Sequence, residues 1–303
     1  MVTWNTRDLT IRALRNLLDS DQGVELRVLV LDNGSTDGSA DAIAAAVPEA
    51  ELVRSADNTG FAAGTNQLLR RATSEWVFVL NSDAWPHPGA ISSLHAVGEQ
   101  DATIGALAPR VESSDGSQQL TTLPFPSPLM SLAVALGERG SAHLPAAWAR
   151  RRLVPGAWHQ DEARDVDWAI GAALLLRRAC LDDVGLLDER YFMYAEDLEW
   201  CWRARRRGWS TRFVPDAVVE HVGNASGEQR WGQARDRVMW DNAYDVVGRY
   251  AGRASELAQR GINAAGSALA WRRAGRPGGR PALRHALGTH LSRRPPTHPA
   301  AGA

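Results

Sequence analysis

Between residues 1 and 110 the chain switches repeatedly between continuous apolar runs and stretches whose apolar positions recur every three or four residues. Leu26 to Leu31 and Trp76 to Leu80 are apolar almost throughout, while Val2 to Asn5 reads as the tail of a buried strand and Glu51 to Ser55 as a short one. Arg7 to Leu18 carries Leu9, Ala13, Leu14, Leu17 and Leu18 at the spacing of one helix face. Thr36 to Val47 and Asn58 to Arg71 read as two further helices, one opened by polar caps and one by a glycine-bearing turn. Apolar strands alternating with helices predict an α/β fold, with a mostly parallel central sheet flanked by helices.

The later pattern is less regular. Gly105 to Val111 predicts another strand, and residues 112–165 read as a variable, partly mobile insertion with one short helix over Leu129 to Leu136. Order resumes at Asp167 to Ala172, followed by a strand over Ala173 to Leu176. Asp188 to Trp209 runs from an aromatic, acidic loop into a helix with Leu198, Cys201, Trp202 and Arg205 on one face and Gly208 as its stop. Strands over Thr211 to Val214 and Val218 to Val222 and a helix over Gln233 to Tyr250 complete an expected domain of residues 1–250. Residues 251–303 are expected to be a C-terminal helix and, beyond about 272, a disordered basic tail.

Composition narrows the function classes. The 303 residues carry 34 basic and 35 acidic side chains, a net charge of −1, so no global field attracts nucleic acid. From Arg272 to Arg294 there are seven arginines and no acid, so contact with anionic lipid headgroups is an expectation that competes with a simply solvated tail. Two cysteines, Cys180 and Cys201, fall in apolar or helical patterns and point to a reduced, cytoplasmic chain rather than a disulfide framework. No apolar run approaches the ~20 residues of a membrane span, which leaves a peripheral position at the inner membrane face as the limit.

The candidate chemistry lies at strand ends. Thr3 to Asn5, Asp32 to Ser35 and Asn81 to Asp83 each follow a strand, where open α/β sheets bind ligands. Turn chemistry explains one such cluster, but not three on one edge. Asp83, beside Asn81 and Ser82, can hold Mg²⁺ or Mn²⁺ through one or two bonds, with water and phosphate completing the shell. Glu196 and Asp197 sit at a helix start, where the dipole and free N–H groups favour ionised carboxylates, and one of them suits a general base. Their alternative role is helix capping. The small residues Gly171, Ala172 and Ala173 allow a ligand or another backbone to come close.

Taken in order, Val2-Thr3-Trp4-Asn5, Asp32 to Asp37, Asn58 to Asn66, Asn81-Ser82-Asp83, Trp168 to Ala172, Asp188 to Asp197 and His221 resemble a family 2 glycosyltransferase of the GT-A fold, near its rhamnosyltransferase-like branch. The resemblance covers roughly residues 2–250. It implies a nucleotide-sugar-binding part over 1–110 and an acceptor and catalytic part over 166–250. In that reading Thr3, Trp4, Asn5, Asp32, Asn58, Asn66, Asn81 and Ser82 bind the donor, with Trp4 stacked on the pyrimidine and Asp32 accepting its imide N–H. Asp83 and His221 hold Mg²⁺ or Mn²⁺, and Asn81 stands where the usual DxD motif begins with aspartate. Trp168, Gly171, Ala172 and Glu196 contact the acceptor, and Asp197 is the base. The implied reaction moves rhamnose or a similar sugar, with inversion, from a dTDP- or UDP-sugar to a glycan or lipid-linked glycan in bacterial cell-wall or surface polysaccharide synthesis. Rival readings are an impaired glycan- or nucleotide-sugar-binding module and a sugar nucleotidyltransferase. The latter calls for a Gly-rich, Lys-bearing phosphate loop near the first strand, and that stretch has none.

Overall fold

The apolar runs become strands of a sheet system, from Leu29 in the first run and over all of Trp76–Leu80 in the second, with Val30, Leu31 and Leu80 buried and Trp76–Val79 half-buried. In the computed structural model, which describes residues 1–141, 161–223 and 234–292, β1 (Val2–Thr3), β2 (Leu29–Asn33) and β3 (Glu51–Ser55) form a parallel sheet in that order. A second sheet is built from β4 (Trp76–Leu80), β5 (Ala84–Pro86), β6 (Ile104–Glu112), β10 (Ala173–Arg177) and β11 (Ser210–His221). Its order is β4-β10-β6-β11-β5, with β8 (Arg164–Val166) also paired to β11. A parallel bridge between Val2 and Asn81 joins the two sheets. Two short strands, β7 (Thr122–Leu123) and β9 (Trp168–Ala169), complete the set.

The sheet is α/β as expected but mixed in direction. β10 runs antiparallel to both β4 and β6, while β6 and β11 run parallel to each other. An all-apolar strand reports burial on both faces, not the direction of its neighbour, so the reversal left no mark in the hydrophobic pattern. One consequence decides where the site lies. The carboxyl ends of β1, β2, β4, β6 and β11 and the amino end of β10 all reach one edge of the sheet.

Helices cover both faces. α1 (Arg7–Asp19) and α2 (Ser39–Ala46) bury Leu14, Ile43 and Val47 against Val30 of β2. α3 (Phe61–Leu69) follows β3, and α4 (Ala90–Glu99) closes Leu94 onto Ile104, Leu107, Leu175 and Val214. α6 (Arg178–Val184) and α7 (Glu196–Arg206) precede β11. Truncating a fully buried leucine such as Leu14 or Leu94 to alanine costs about 2–5 kcal/mol. Cys180 and Cys201 are buried free thiols, as their apolar settings imply. No helix among the described residues is long and apolar enough to cross a membrane.

The chain divides into two compact units, and the boundary differs from the one expected near residue 250. One unit holds Met1–Thr122 with Gln160–Gly232; the other holds Leu123–His159 with Gln233–Ala303. The second unit comprises α5 (Pro128–Ser141), α8 (Arg235–Tyr250), α9 (Arg253–Arg273) and α10 (Gly279–Leu291). So α8 belongs with these helices, not with the sheet. The insertion contributes α5, longer than the helix expected at 129–136, while residues 142–160 of it lie outside the described residues. The expected disordered tail is helical over Gly279–Leu291. Its Thr289 and His290 are buried, and the Tyr244 hydroxyl lies 2.9 Å from His290 Nδ1, which gives a basic segment the tertiary anchor that composition alone conceals. Arg293 and Arg294 lie outside the described residues.

Candidate active site

The site is assembled on the carboxyl edge from loops that glycines and asparagines allow to close. After β1, Asn5 takes a left-handed backbone (φ 52), which its short polar side chain tolerates. Its N–H donates to Ser35 Oγ at 2.9 Å, and its Oδ1 accepts the Thr36 N–H at 2.8 Å, so the loops after β1 and β2 are tied together. Gly34 permits the next approach: with φ +76, any Cβ there would lie 2.7 Å from the Asp57 carbonyl carbon. Thr3 lies in a buried hydroxyl network with Thr6 and Thr10, and Thr6 continues it to Ser82 at 3.1 Å.

Asp32 is 3 % exposed, with Oδ2 accepting the Ser35 N–H at 3.3 Å. Its Oδ1 is buried and has no hydrogen-bond donor among the described residues. A buried carboxylate oxygen without a donor costs about 1–3 kcal/mol, and an incoming N–H relieves that cost. Trp4 is half-buried and follows Thr3, the residue paired with Asp32 across β1 and β2. The two asparagines expected at the nucleotide behave differently. Asn58 Oδ1 accepts from Asn33 Nδ2 at 3.1 Å and from the Gly60 N–H at 3.0 Å, holding the turn into α3. Asn66 donates both amide protons, to the Leu187 carbonyl and to Glu189 Oε1, each at 2.9 Å, and accepts the Leu187 N–H at 3.0 Å. Asn66 therefore fastens the acidic loop to α3 and has no proton left for a nucleotide.

Asp83 and His221, far apart in sequence, meet because β11 ends beside β5, with His221 opposite Ala84. His221 Nε2 lies 3.3 Å from Asp83 Oδ1, and both residues are under 10 % exposed. Asn81 Nδ2 lies 3.4 Å from the same Nε2. Gln119, which carries no motif of its own, flanks the ring: its Oε1 is 3.0 Å from Nδ1, and its Nε2 donates to the His221 carbonyl at 2.6 Å. No group of three or more His, Cys, Asp or Glu gathers as a metal cage among the described residues. Two adjacent ligands suit a divalent cation that keeps waters and phosphates in its shell. Adjacent ligands of an octahedral Mg²⁺ with bonds of about 2.1 Å lie about 3 Å apart, which the Asp83–His221 spacing approaches.

The acidic helix is the second centre. Tyr194 and Ala195 both have left-handed backbones (φ 70 and 73) immediately before α7. Such conformations cost about 1–3 kcal/mol each and persist only when the surroundings impose them. Here the surroundings are explicit. The Phe192 carbonyl accepts the Phe61 N–H at 2.6 Å, and a Cβ on Gly60 would fall 2.5 Å from that carbonyl oxygen. Arg203, paired with buried Glu199 at 2.8 Å, donates to the Val184 and Leu186 carbonyls at 2.7 Å, and Trp200 Nε1 donates to Gly185. The buried face of α7 is Leu198, Trp200, Cys201 and Ala204. Trp202 is only half-buried and Arg205 is exposed, contrary to the face the spacing suggested. The helix ends where Gly208 takes φ +92.

Asp197 Oδ2 accepts the Gly171 N–H at 2.8 Å and Oδ1 accepts the Leu198 N–H at 2.7 Å. Burial pushes Asp197 up to about 6 despite these bonds. Burial, and then the neighbouring Asp197 charge, push Glu196 well above the usual carboxylate range, and Glu196 Oε2 is buried without a donor. The helix start is expected to favour the ionised form of both acids, and burial opposes that at both. Gly171 lies two residues before β10, and the next carbonyl, that of Ala172, accepts the Asn81 N–H at 2.9 Å. One short stretch of backbone thus connects the Asp83 loop to the Asp197 carboxylate. Trp168, at the start of β9, is half-buried.

Residues 1–242 match the family model described as glycosyltransferase like family 2. The chain belongs to glycosyltransferase family 2. Among similar proteins, an N-acetylglucosaminyl-diphospho-decaprenol L-rhamnosyltransferase from Mycobacterium tuberculosis is 32 % identical over 218 residues, covering 66 % of this chain and 68 % of that one. A low-salt glycan biosynthesis hexosyltransferase from Haloferax volcanii, Agl10, is 27 % identical over 198 residues, 64 % of this chain and 55 % of the relative. The fold is shared with a mannosyltransferase from Pyrobaculum calidifontis solved in complex with GDP-Man and Mn²⁺. That match has a TM-score of 0.58 and 20 % identity, over 93 % of this chain and 75 % of the other. The glycosyltransferase thus has the GT-A fold expected from its motifs, and the nucleotidyltransferase reading falls away with the family assignment.

Proposed function

We propose that this glycosyltransferase moves a hexose, rhamnose or a close relative, from a dTDP- or UDP-sugar to a hydroxyl of a glycan or lipid-linked glycan, with inversion at the anomeric carbon. The observation that carries the reading is Asp197: a half-buried carboxylate raised to about 6, aimed by the Gly171 N–H, whose backbone stretch is hydrogen-bonded in turn to the Asp83 loop. A base with that affinity is ionised at pH 7 and still strong enough to take a proton from an attacking hydroxyl. Inversion follows from a single displacement in which the hydroxyl oxygen forms the new bond as the bond to the diphosphate oxygen breaks. The acceptor proton passes to Asp197.

Asp83 and His221 would hold Mg²⁺ or Mn²⁺, whose charge offsets that of the departing diphosphate. Asp32, through its donor-less Oδ1, suits the imide N–H of uracil or thymine, and Trp4 suits the base face. Glu196, shifted by burial toward the neutral acid, would contact the acceptor, with Trp168, Gly171 and Ala172 forming the floor. Similarity to an N-acetylglucosaminyl-diphospho-decaprenol L-rhamnosyltransferase favours rhamnose as the sugar and a lipid-linked acceptor. The test is a panel of dTDP- and UDP-sugars with a decaprenyl-diphosphate-linked GlcNAc acceptor, with and without Mg²⁺ or Mn²⁺. The expected result is cation-dependent transfer with inverted configuration by NMR. Retained configuration in the product, or undiminished transfer in EDTA, contradicts the reading.

A further inference from the structure

Gln119 lies on the stretch that returns along β6 from a tight turn at residues 113–117, and its place there is fixed before its side chain is considered. The Gly116 N–H donates to the Ser113 carbonyl at 2.8 Å, and the Gln119 N–H returns to the Val111 carbonyl at 2.8 Å. The side-chain amide is then oriented by its own donors. Gln119 Nε2 donates to the His221 carbonyl at 2.6 Å and to Ser113 Oγ at 3.1 Å, which uses both of its protons. The amide oxygen is thereby turned toward His221 Nδ1, at 3.0 Å. An amide oxygen can only accept, so the bond requires the proton on Nδ1. A neutral imidazole with its proton on Nδ1 has its lone pair on Nε2, and Nε2 is the atom 3.3 Å from Asp83 Oδ1.

We propose that Gln119 is a positioning residue for the cation site: its amide selects the His221 tautomer that turns a nitrogen lone pair toward Asp83. The proposal rests on reading Asp83 and His221 as cation ligands. It adds that the site depends on a residue from a third loop, one that touches neither the cation nor the substrate. With only two protein ligands, loss of one correctly directed lone pair weakens the site more than it would in a cage of four.

Gln119→Leu removes the acceptor at similar size, and Gln119→Glu keeps an acceptor for the Nδ1 proton. Two readouts are taken on the full chain at about pH 8: the His221 tautomer by ¹⁵N–¹H correlation, assigned by its loss in His221→Asn, and Mn²⁺ affinity by calorimetry. The wild type is expected to show a protonated Nδ1 and a bare Nε2. Gln119→Leu is expected to mix the tautomers and weaken Mn²⁺ binding about ten- to a hundredfold, the usual effect of losing such a partner, while Gln119→Glu recovers most of both. A Gln119→Leu protein with wild-type tautomer and Mn²⁺ affinity overturns the proposal. So does a wild type protonated on Nε2, a result that stands even if the leucine variant fails to fold. Asp83→Asn separates the two levels. Loss of Mn²⁺ in that variant with none in Gln119→Leu removes Gln119 alone, whereas equal Mn²⁺ binding by wild type and Asp83→Asn removes the cation-site reading and this proposal with it.

Discussion

Asp83 and Asp197 serve the same sheet edge from opposite electrostatic settings. Asp83 has an imidazole nitrogen 3.3 Å from its carboxylate, and that imidazole is braced by Gln119. Asp197 is bound by the Gly171 and Leu198 N–H groups, is half-buried and desolvated, and has a second carboxyl as its neighbour in sequence. The first arrangement suits holding positive charge. The second makes ionisation costly, which is what strengthens a base. The difference teaches that an acid's role is set less by its motif than by what surrounds it, since both residues were picked out for the same reason: a carboxylate at the end of an element.

The sharpest way to break the contrast is to exchange the chemistry at each centre. Asp83→Asn is expected to abolish cation-dependent nucleotide binding and to reduce transfer by about a thousandfold, measured by calorimetry and by product formation; intact Mn²⁺-dependent binding would undo the assignment. Next in size is the pH profile. Because Asp197 must be ionised to act, kcat/KM is expected to rise about tenfold per pH unit below about 6 and level off above it. A profile flat from pH 5 to 8 would separate that carboxylate from the rate.

Stability responds with the opposite sign. The folded Asp197 holds its proton up to about 6, above the ~3.9 of an unfolded aspartate, so its contribution is full below ~3.9 and is lost as pH rises through about 6. Asp197→Asn, which cannot ionise, is therefore expected to be more stable than wild type at pH 8, by on the order of 2 kcal/mol in urea titration. Equal or lower stability would mean that the charge is not strained there. Of similar or smaller size, Asn66→Ala breaks three hydrogen bonds to the Leu187–Glu189 loop and is expected to cost about 2 kcal/mol. Its kcat should fall more than its nucleotide affinity, since the loop it fastens leads to Asp197. A loss confined to nucleotide affinity would restore Asn66 to the donor pocket.

Much of this was legible from residues alone, for identifiable reasons. The apolar runs Leu26 to Leu31 and Trp76 to Leu80 announce strands, the first of which begins only at Leu29, and the polar residues that end them mark the ligand edge whatever the remaining strands do. What escaped the reading has equally definite causes. The reversal of β10 depends on connectivity, to which an apolar pentapeptide is blind. The inner face of α7 departs from the spacing because Trp200 is buried with its indole N–H on the Gly185 carbonyl, while Trp202 stays half-buried. Asn58 and Asn66 suited a nucleotide pocket by residue type, yet their amides are engaged in closing loops. The upward shift of Glu196 requires knowing that it is buried, and Gln119 acquires meaning only once His221 is beside it. Helix α10 was hidden by its arginines, which are exposed while Thr289 and His290 anchor it.

The central claim is that Asp197 takes the acceptor proton while Asp83 and His221 serve the donor diphosphate. The most direct measurement is Asp197→Asn, assayed in parallel for transfer from a dTDP- or UDP-sugar and for Mn²⁺-dependent binding of the corresponding nucleoside diphosphate. The account predicts turnover reduced by about a thousandfold or more with nucleotide affinity within about twofold of wild type. Turnover near the wild-type rate in that variant would contradict it.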